Sequence, residues 1–382
     1  MKYTKYIILL IPCFFISTSF VQEKENEIVF PVVSSDTAVV MTCDTTITAE
    51  KLRKIDSLYQ SIVNEQKFNG SILIGRGDKV LYTRFDGYAD FQTKRKLTQK
   101  SRYEIASVSK QFTAVSILML YEQGKLKLTD SVQRFIPDFP YSGITLHQLL
   151  CHRSGLPEYF KFADDYHKDK NFIIGNDSLL RMLKAFKPKI LQLPDKKFEY
   201  CNTGYVVLAS IVERVSGMRF SDFVHKYIFT PLGMNESSFY YYDTIPKALF
   251  VVGHRANMKN YERDYMSGIV GDKGIFTTVN DLFIWCNALD TDKILKRETI
   301  EMAFSPQNAD MDDCHNYGYG WRISCDTCQR PLIYHGGLWN GNNTWFIKRP
   351  CDRTIIIAFS NIYNHAFYGR NKDFFAILDA EE

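Results

Sequence analysis

The amino-acid sequence predicts an α+β fold: an antiparallel sheet flanked by helices, with an all-helical lobe inserted between the two parts of the chain that supply the strands. Strand-like runs occur near both ends of the chain, and helical patterns fill the middle. An amphipathic stretch also lies outside the strands at each end of this region. The 382 residues are 45% apolar and 14% aromatic, which is enough for a large buried core.

The first part of the predicted sheet region is residues 46–125. From Thr48 onward, apolar residues recur at helical spacing. The runs 70–75 and 79–84 are rich in β-branched and aromatic residues and are separated by a turn that contains Gly-Asp, which predicts a hairpin. Residues 107–123 have a helical period and are followed by glycine, which is typical of a helix end.

The second part of the sheet region is residues 290–382, and the helical lobe between the two parts covers about 126–289. In the lobe, short helical patterns alternate with prolines and turn dipeptides. The second part contains strand-like runs followed by an amphipathic helix at 368–378. These runs are 319–324, 331–335, 343–348 and 354–359.

Residues 1–19 have the pattern of a signal peptide. Lys2 and Lys5 precede an apolar run at 7–16, which is too short to span a bilayer as a helix, and small residues follow it. An uncleaved anchor or a core strand at the N-terminus is the alternative. The pattern predicts export to the bacterial periplasm or cell envelope, with the polar residues 20–45 as a tether.

The charge balance argues against nucleic acid as a partner. The chain carries 47 basic and 43 acidic residues, for a formal net charge of +4, and these charges are interspersed. A protein that binds nucleic acid or an anionic membrane through charge usually has a basic patch. We therefore expect no nucleic-acid partner, and nothing in the pattern implies a stable protein partner, while the oligomeric state stays open.

The cysteines raise the question of a metal site. Cys325 and Cys328 are separated by two residues, with Cys314 and Cys351 nearby, a spacing that could suggest a zinc knuckle. Cys325 and Cys328 also flank a predicted turn, where they could pair with each other or stay free. The eight histidines include no His-x-x-x-His pair. We expect no metal and no cofactor.

The first motif with catalytic potential is Ser107-x-x-Lys110, which the pattern places at the start of a helix. Residues three apart lie on one helix face, so the Lys110 amine can reach the Ser107 hydroxyl. Serine needs a base within hydrogen-bond distance to become a good nucleophile, and a lysine with a lowered pKa can be that base. The N–H groups of a helix N-terminus can also stabilise an oxyanion.

The second motif is Tyr200-Cys201-Asn202. A tyrosine beside a lysine can carry a proton between the nucleophile and a leaving group. The Asn202 amide can orient both the lysine and a substrate amide. Alternatively, Asn202 is a turn or N-cap residue beside a core tyrosine.

The third motif is His335-Gly336-Gly337-Leu338, at the predicted end of a strand. Successive glycines are tolerated in a strand where another chain must approach the backbone closely. This would allow a substrate to lie along an edge strand and form main-chain hydrogen bonds. The alternative is a hairpin bend with an exposed histidine.

The three motifs occur in the order Ser-x-x-Lys, Tyr-x-Asn, His-x-Gly, and this order resembles the serine β-lactamase and penicillin-binding-protein superfamily. The likeness is to the class C β-lactamase-related, DD-peptidase-like serine hydrolases, and it runs from about residue 48 to 378. Three further stretches are similar to family motifs: 145–156, 231–234 and 271–282.

The resemblance implies roles for individual residues. Ser107 would be the acylated nucleophile, Lys110 its base and Tyr200 the second proton carrier. Asn202 would hold the substrate amide, and His335 stands where many relatives have the lysine of Lys-Thr-Gly.

The same resemblance implies an oxyanion hole formed by the backbone N–H groups of Ser107 and Leu338. Gly337 and Leu338 would bind substrate along the strand edge. The implied site lies in a cleft between an α/β part and a helical lobe, and the implied mechanism needs no cofactor.

Three departures from the family pattern concern substrate preference. His335 replaces the lysine of true class C β-lactamases, and histidine is found instead in DD-carboxypeptidases and D-aminopeptidases. A histidine would bind a substrate carboxylate best when protonated. Cys201 replaces a serine, which places a thiol beside the site. Residues 338–345 replace a proline–glycine stretch with a sequence that contains tryptophan.

The resulting functional hypothesis is an exported serine hydrolase that forms an acyl-enzyme on D-amino acid peptides of the peptidoglycan type. A β-lactamase or a carboxylesterase with the same mechanism is the alternative. A penicillin-recognising sensor with a stable acyl-enzyme is a further one, whereas the intact set of motifs argues against an inactive scaffold.

Overall fold

The structure is a computed structural model that describes residues 47–66, 68–241, 245–363, 366–367 and 369–380. The predicted signal peptide, residues 1–19, and the predicted tether, residues 20–45, lie outside the described residues. Within these ranges, no helix combines the length and the apolar character that a membrane crossing requires.

Strands from both parts of the chain form one antiparallel sheet, as the sequence predicts. In the described residues its order is β2-β1-β12-β11-β10-β9-β8. Its strands are β1 (Gly70–Arg76), β2 (Lys79–Asp86), β8 (His315–Tyr317), β9 (Arg322–Cys325), β10 (Pro331–Trp339), β11 (Asn342–Arg349) and β12 (Thr354–Ser360). Shorter strands form two small sheets: β3 (Tyr88–Asp90) with β4 (Arg95–Lys96), and β5 (Tyr103–Glu104), β7 (Ile275–Thr277) and β6 (Ser238–Phe239).

Helices cover the sheet and fill the middle of the chain. The α-helices are α1 (Ala49–Gln66), α2 (Lys110–Glu122), α3 (Leu146–Leu150), α4 (Tyr159–Tyr166), α5 (Asn176–Phe186), α6 (Asn202–Ser216), α7 (Phe220–Val224), α8 (Thr230–Leu232), α9 (Val279–Ala288), α10 (Arg297–Phe304) and α11 (Asn371–Asp379). A π-helical stretch, His225–Phe229, joins α7 to α8. The α+β class that the sequence predicts is confirmed.

The two faces of the large sheet pack against different helices. On the outer face, α1 and α11 pack against each other, and their apolar side chains form a core with those of β1, β10, β11 and β12. On the opposite face, α9 contacts β1 and β12. Strand alternation therefore separates a face that is covered by the terminal helices from a face that is turned toward the middle of the chain.

Two details differ from the sequence prediction. The middle segment is not wholly helical, because β6 and β7 lie within it and pair with β5. Strands of two or three residues are too short for an alternating pattern to show. The strand predicted to end at His335 continues through both glycines to Trp339, since its pairing with β11 is maintained along this stretch.

Cys325 and Cys328 do not pair with each other, and of the two only Cys328 stays free. A disulfide joins Cys314 to Cys325, across β8 and β9, while Cys328 and Cys351 are free and exposed. Two of the four sulfurs considered for a zinc knuckle are thus bonded to each other. In the part of the chain that the structure describes, no group of three or more His, Cys, Asp or Glu side chains is arranged to hold a metal.

Candidate active site

Ser107 lies in a 3₁₀ turn, Ala106–Ser109, that leads directly into α2. The sequence predicts a helix start at this residue. The structure has a 3₁₀ turn there, which is wound more tightly than an α-helix, and the α-helix begins directly after it. Ala106 has a φ of +47°, in the left-handed region that non-glycine residues seldom adopt. Such strain persists only where neighbouring structure holds it. Here it presents Ser107, half-buried, to a cleft.

Lys110 is fully buried and lies directly behind Ser107. Its Nζ donates hydrogen bonds to Ser107 Oγ at 3.1 Å, to Asn202 Oδ1 at 2.7 Å and to the backbone oxygen of Asp272 at 3.0 Å. An ammonium has three protons, so each of them has an acceptor. When Lys110 loses a proton, Ser107 becomes the donor in the 3.1 Å contact, which is the geometry of a nucleophile and its base.

Asn202 is the first residue of α6, and Glu158 fixes its orientation. Glu158 Oε2 accepts hydrogen bonds from the Asn202 backbone N–H at 2.8 Å and from its side-chain Nδ2 at 3.0 Å. With Nδ2 engaged in this way, Oδ1 faces Lys110. Burial raises the pKa of the Glu158 carboxyl above its ordinary value. Sequence reasoning missed Glu158, because no catalytic motif contains it.

Tyr200 is half-buried and lies beside Lys110, with the lysine Nζ 5.0 Å from the centre of its ring. The His152 ring packs against it at a centroid distance of 4.2 Å. His152 is held in turn by the Cys201 backbone N–H, which donates to Nδ1 at 3.0 Å. Burial lowers the pKa of His152 well below its ordinary value, so that the ring is neutral. His152 lies within the stretch 145–156 that is similar to a family motif, but the sequence predicted no role for it at the site.

The Cys201 thiol points away from the cleft. It donates to the backbone oxygen of Leu156 at 3.4 Å and is buried. Burial raises its pKa to about 12. The sequence placed a thiol beside the site, and the fold separates it from the reacting groups.

His335 is buried in the middle of β10, which rules out the exposed hairpin bend. Its Nδ1 donates to the backbone oxygen of Gly336 at 2.7 Å, and its Nε2 accepts from the Tyr317 hydroxyl at 3.1 Å. Burial, together with the positive charges of Arg322 and Lys110, lowers the pKa of His335 well below its ordinary value. In the free protein this favours a neutral ring, so the expectation that a protonated His335 binds a carboxylate stays a prediction that the burial of His335 does not favour.

Arg322, at the start of β9, supplies positive charge at this side of the cleft. Its guanidinium carbon lies 5.3 Å from the centre of the Tyr200 ring. It lines the same cleft as Ser107 and His335. Planar guanidinium groups bind carboxylates through paired hydrogen bonds. Arg322 is the third residue that sequence reasoning missed, because isolated arginines are common.

Gly337 allows β10 to pack against the Ser107 turn. A Cβ at this position would lie 2.2 Å from the backbone oxygen of Ile105 and 3.1 Å from the Ala106 Cβ. Thr344, opposite Gly337 on β11, donates to the same Ile105 oxygen at 2.9 Å. Beyond Gly337, the Leu338 side chain is half-exposed at the cleft.

One cleft of about 300 Å³ brings most of the predicted residues together. Its walls include Ser107, Tyr200, His335, Gly337 and Leu338. Lys110 and Asn202 stand behind Ser107 and are linked to it through hydrogen bonds. The arrangement joins a serine, a buried lysine, a tyrosine and the edge of a strand, a set of groups that is suited to acyl transfer through a serine ester.

Comparisons with known proteins agree with this chemistry. The Beta-lactamase family model matches residues 55–380. The chain is 34% identical over 350 residues to penicillin-binding protein 4* of Bacillus subtilis (strain 168), covering 87% of this chain and 75% of that protein.

Solved structures share the fold. A penicillin-binding protein from Bacillus halodurans superposes with a TM-score of 0.73 at 24% identity, covering 84% of this chain and 98% of its own. A D-amino acid amidase from Ochrobactrum anthropi SV3, complexed with L-phenylalanine amide, gives a TM-score of 0.71 at 22% identity, covering 87% and 98%. The chain belongs to the Beta-lactamase family and is a serine hydrolase of the penicillin-binding-protein and β-lactamase kind.

Proposed function

We propose that Ser107 forms an acyl-enzyme with D-amino acid peptides of the peptidoglycan type and that water then releases the acyl group. With Lys110 as the neutral amine, Ser107 Oγ attacks the scissile carbonyl carbon while its proton passes to Lys110 Nζ. Tyr200 donates its phenolic proton to the leaving amine as the C–N bond breaks, and regains a proton from Lys110. Water then adds to the ester, its proton returns through the same groups, and the free acid and Ser107 are regenerated.

The contact that carries this proposal is the one between Lys110 and Ser107. The buried Lys110 amine is hydrogen-bonded to both the Ser107 hydroxyl and Asn202, and Glu158 holds Asn202 in place. Such positioning fixes the base before substrate arrives. The backbone N–H groups of Ser107 and Leu338 are proposed to bind the developing oxyanion.

The substrate class follows from the charges and from the strand edge. Arg322 lines the cleft and is suited to the terminal carboxylate of a peptide. β9 pairs with β10 only as far as Tyr334, so that an extended peptide can lie beside the next residues of β10, including His335 and Gly337. The name of one structural relative, a D-amino acid amidase, supports D-configured substrates.

Export to the bacterial periplasm or cell envelope is part of the proposal. The leader pattern of residues 1–19 supports it. The disulfide between Cys314 and Cys325 also supports it, because disulfides persist mainly in oxidising compartments.

The test compares turnover with stoichiometric acylation. The purified protein is mixed with an N-acylated D-Ala-D-Ala peptide and, separately, with a fluorescent penicillin, and Ser107→Ala is the control. We expect repeated release of D-alanine from the peptide by the wild type and none by the variant. Rapid hydrolysis of the penicillin with no peptide turnover would replace the proposal with a β-lactamase, and stoichiometric labelling without turnover of either would replace it with a sensor.

A further inference from the structure

A loop of the middle segment exposes apolar side chains. It covers residues 187–197, directly after α5, and we call it the leucine loop. Leu193 is 72% exposed and Leu191 is 47% exposed. Phe186, the last residue of α5, is also exposed. Single apolar residues scattered over a surface need no explanation, but a group of them on one segment indicates a contact site.

The backbone of the leucine loop is held against the rest of the protein. The Leu191 N–H donates to the Gly155 backbone oxygen, and the Asp195 N–H donates to the Arg153 backbone oxygen, both at 2.8 Å. A Cβ at Gly155 would lie 2.1 Å from the backbone oxygen of Gln192. The buried Arg153 side chain also donates to the Asp195 carboxylate at 2.6 Å. The fold therefore fixes the loop and still leaves its leucines in solvent.

The leucine loop also carries positive charge. It contains four lysines and one aspartate. Lys187, Lys189 and Lys196 are exposed and form no ion pair with any residue that the structure describes. The fourth, Lys197, lies 3.9 Å from the carboxylate of Glu199. The one carboxylate of the loop itself is engaged by a buried arginine. The charges of the whole chain are nearly balanced, and this excess of lysine is local.

Exposed leucines flanked by unpaired lysines match the surface of an anionic bilayer. The acyl chains accept leucine side chains, and the anionic head groups attract the ammonium groups, which the long lysine stems can carry to them. A second copy of this chain fits less well, because a twofold interface brings the same lysines against each other. We propose that the leucine loop docks the protein on an anionic lipid surface, with its two leucines among the acyl chains and its three unpaired lysines on the head groups.

The leucine loop is adjacent to the candidate active site. Tyr200 follows the last residue of the loop by three positions. Between them, the Glu199 N–H donates to the backbone oxygen of His152, whose ring packs against that of Tyr200. The proposed contact therefore keeps the catalytic cleft close to the lipid surface. It does not depend on which substrate the cleft binds.

The first test asks whether the loop enters the bilayer. The full chain with Leu193→Trp is mixed with vesicles of phosphatidylglycerol and phosphatidylcholine whose acyl chains carry bromine, which quenches nearby indole fluorescence. Val80→Trp is the matched control, because Val80 is also exposed but lies on β2. We expect the fluorescence added by Leu193→Trp to be quenched and that added by Val80→Trp to be unaffected. Equal quenching of the two, or quenching of neither, would overturn the proposal.

The second test asks whether the lysines of the loop supply the attraction. Lys189→Glu and Lys196→Glu are added together to the Leu193→Trp protein. Lys79→Glu and Lys100→Glu, at two exposed lysines outside the loop, give a control with the same change of net charge. We expect the apparent affinity, taken from the quenching curve, to fall by about tenfold or more in the first protein and much less in the control. An equal fall in both would contradict a contact made by the loop lysines.

A second copy of the chain as the occupant gives a different result. Sedimentation equilibrium then shows a dimer that Leu191→Ser with Leu193→Ser dissociates, and the added indole of Leu193→Trp is not quenched by brominated lipid. That combination would overturn the lipid proposal in favour of an interface between copies. Circular dichroism and the Tm of each variant check that it is folded.

Discussion

The two sides of the cleft, at Lys110 and at β10, each contain a positively charged side chain, but its surroundings differ. On the Lys110 side, a buried cation has three acceptors, and Glu158 orients one of them. On the β10 side, Arg322 carries the charge, and burial together with this charge lowers the pKa of the neighbouring His335. The first arrangement suits a group that exchanges protons with Ser107, and the second suits a group that holds an anion. The difference teaches that the position of a charged side chain, and not its residue type alone, decides its task.

Removing the cation on the first side has the largest expected effect. Lys110→Ala takes away the base and leaves the buried acceptor Asn202 Oδ1 without its donor. We expect kcat/KM to fall by about 10³-fold, within the range for loss of a positioned acid–base group. Steady-state kinetics on a peptide or ester substrate measure it, and circular dichroism checks the fold. A variant that retains most of its activity would contradict the role of Lys110.

The close packing of β10 against the Ser107 turn depends on Gly337. Gly337→Ala pushes a methyl group into the Ile105 oxygen, which displaces β10 from the Ser107 turn. We expect a stability loss of about 1–3 kcal/mol, typical of overpacking, and slower acylation. Gly336→Ala is the matched control, because its Cβ has ordinary contacts only. Equal losses of the free energy of unfolding in the two variants would contradict the close approach at Gly337.

On the β10 side, the roles of Arg322 and His335 can be distinguished by substituting each residue in turn. Arg322→Gln should reduce kcat/KM for a carboxylate-bearing peptide by about 10- to 100-fold, the value of one charge-assisted hydrogen bond. A matched neutral ester should lose much less. His335→Gln should affect the two substrates alike, because the imidazole carries no charge. A selective loss on the anionic substrate in His335→Gln alone would return the carboxylate to His335.

How much of the candidate site the sequence could predict depends on how far apart its residues lie along the chain. Ser107 and Lys110 are three residues apart on adjoining turns, so their spacing predicts their contact. Arg322 and Glu158 join the site through elements that meet only in the folded chain. The charge of His335 depends on burial, which a local pattern does not reveal.

The fold shows the same division. Long strands such as β12 have the β-branched residues that predict them, whereas β5 and β7 are too short to show a pattern and are recognised only from their pairing in the folded chain. The fold class and the Ser107-x-x-Lys110 motif can therefore be predicted from local sequence, whereas the arrangement of charges in the cleft depends on tertiary structure.

The smallest expected effect is on stability. The pKa of His335 is lower in the folded than in the unfolded protein, so below about pH 6.5 the unfolded chain binds more protons and stability falls as the pH falls. The limit is about 1.4 kcal/mol per pH unit for one histidine. The raised pKa of Glu158 has the opposite effect on stability as the pH falls. The contribution of His335 is therefore isolated by comparing the wild type with a variant at that residue. His335→Gln should lose less Tm than the wild type between pH 7 and 5.5, and an identical loss would contradict a neutral, buried His335.

The central claim is that Ser107, paired with Lys110, is the residue that becomes acylated. The most direct measurement is the intact mass of the protein after incubation with a fluorophosphonate and with a fluorescent penicillin, followed by peptide mapping. We predict one adduct per chain on the peptide that contains Ser107, and none in Ser107→Ala. An adduct that persists in Ser107→Ala, or that maps to another residue, would contradict the account.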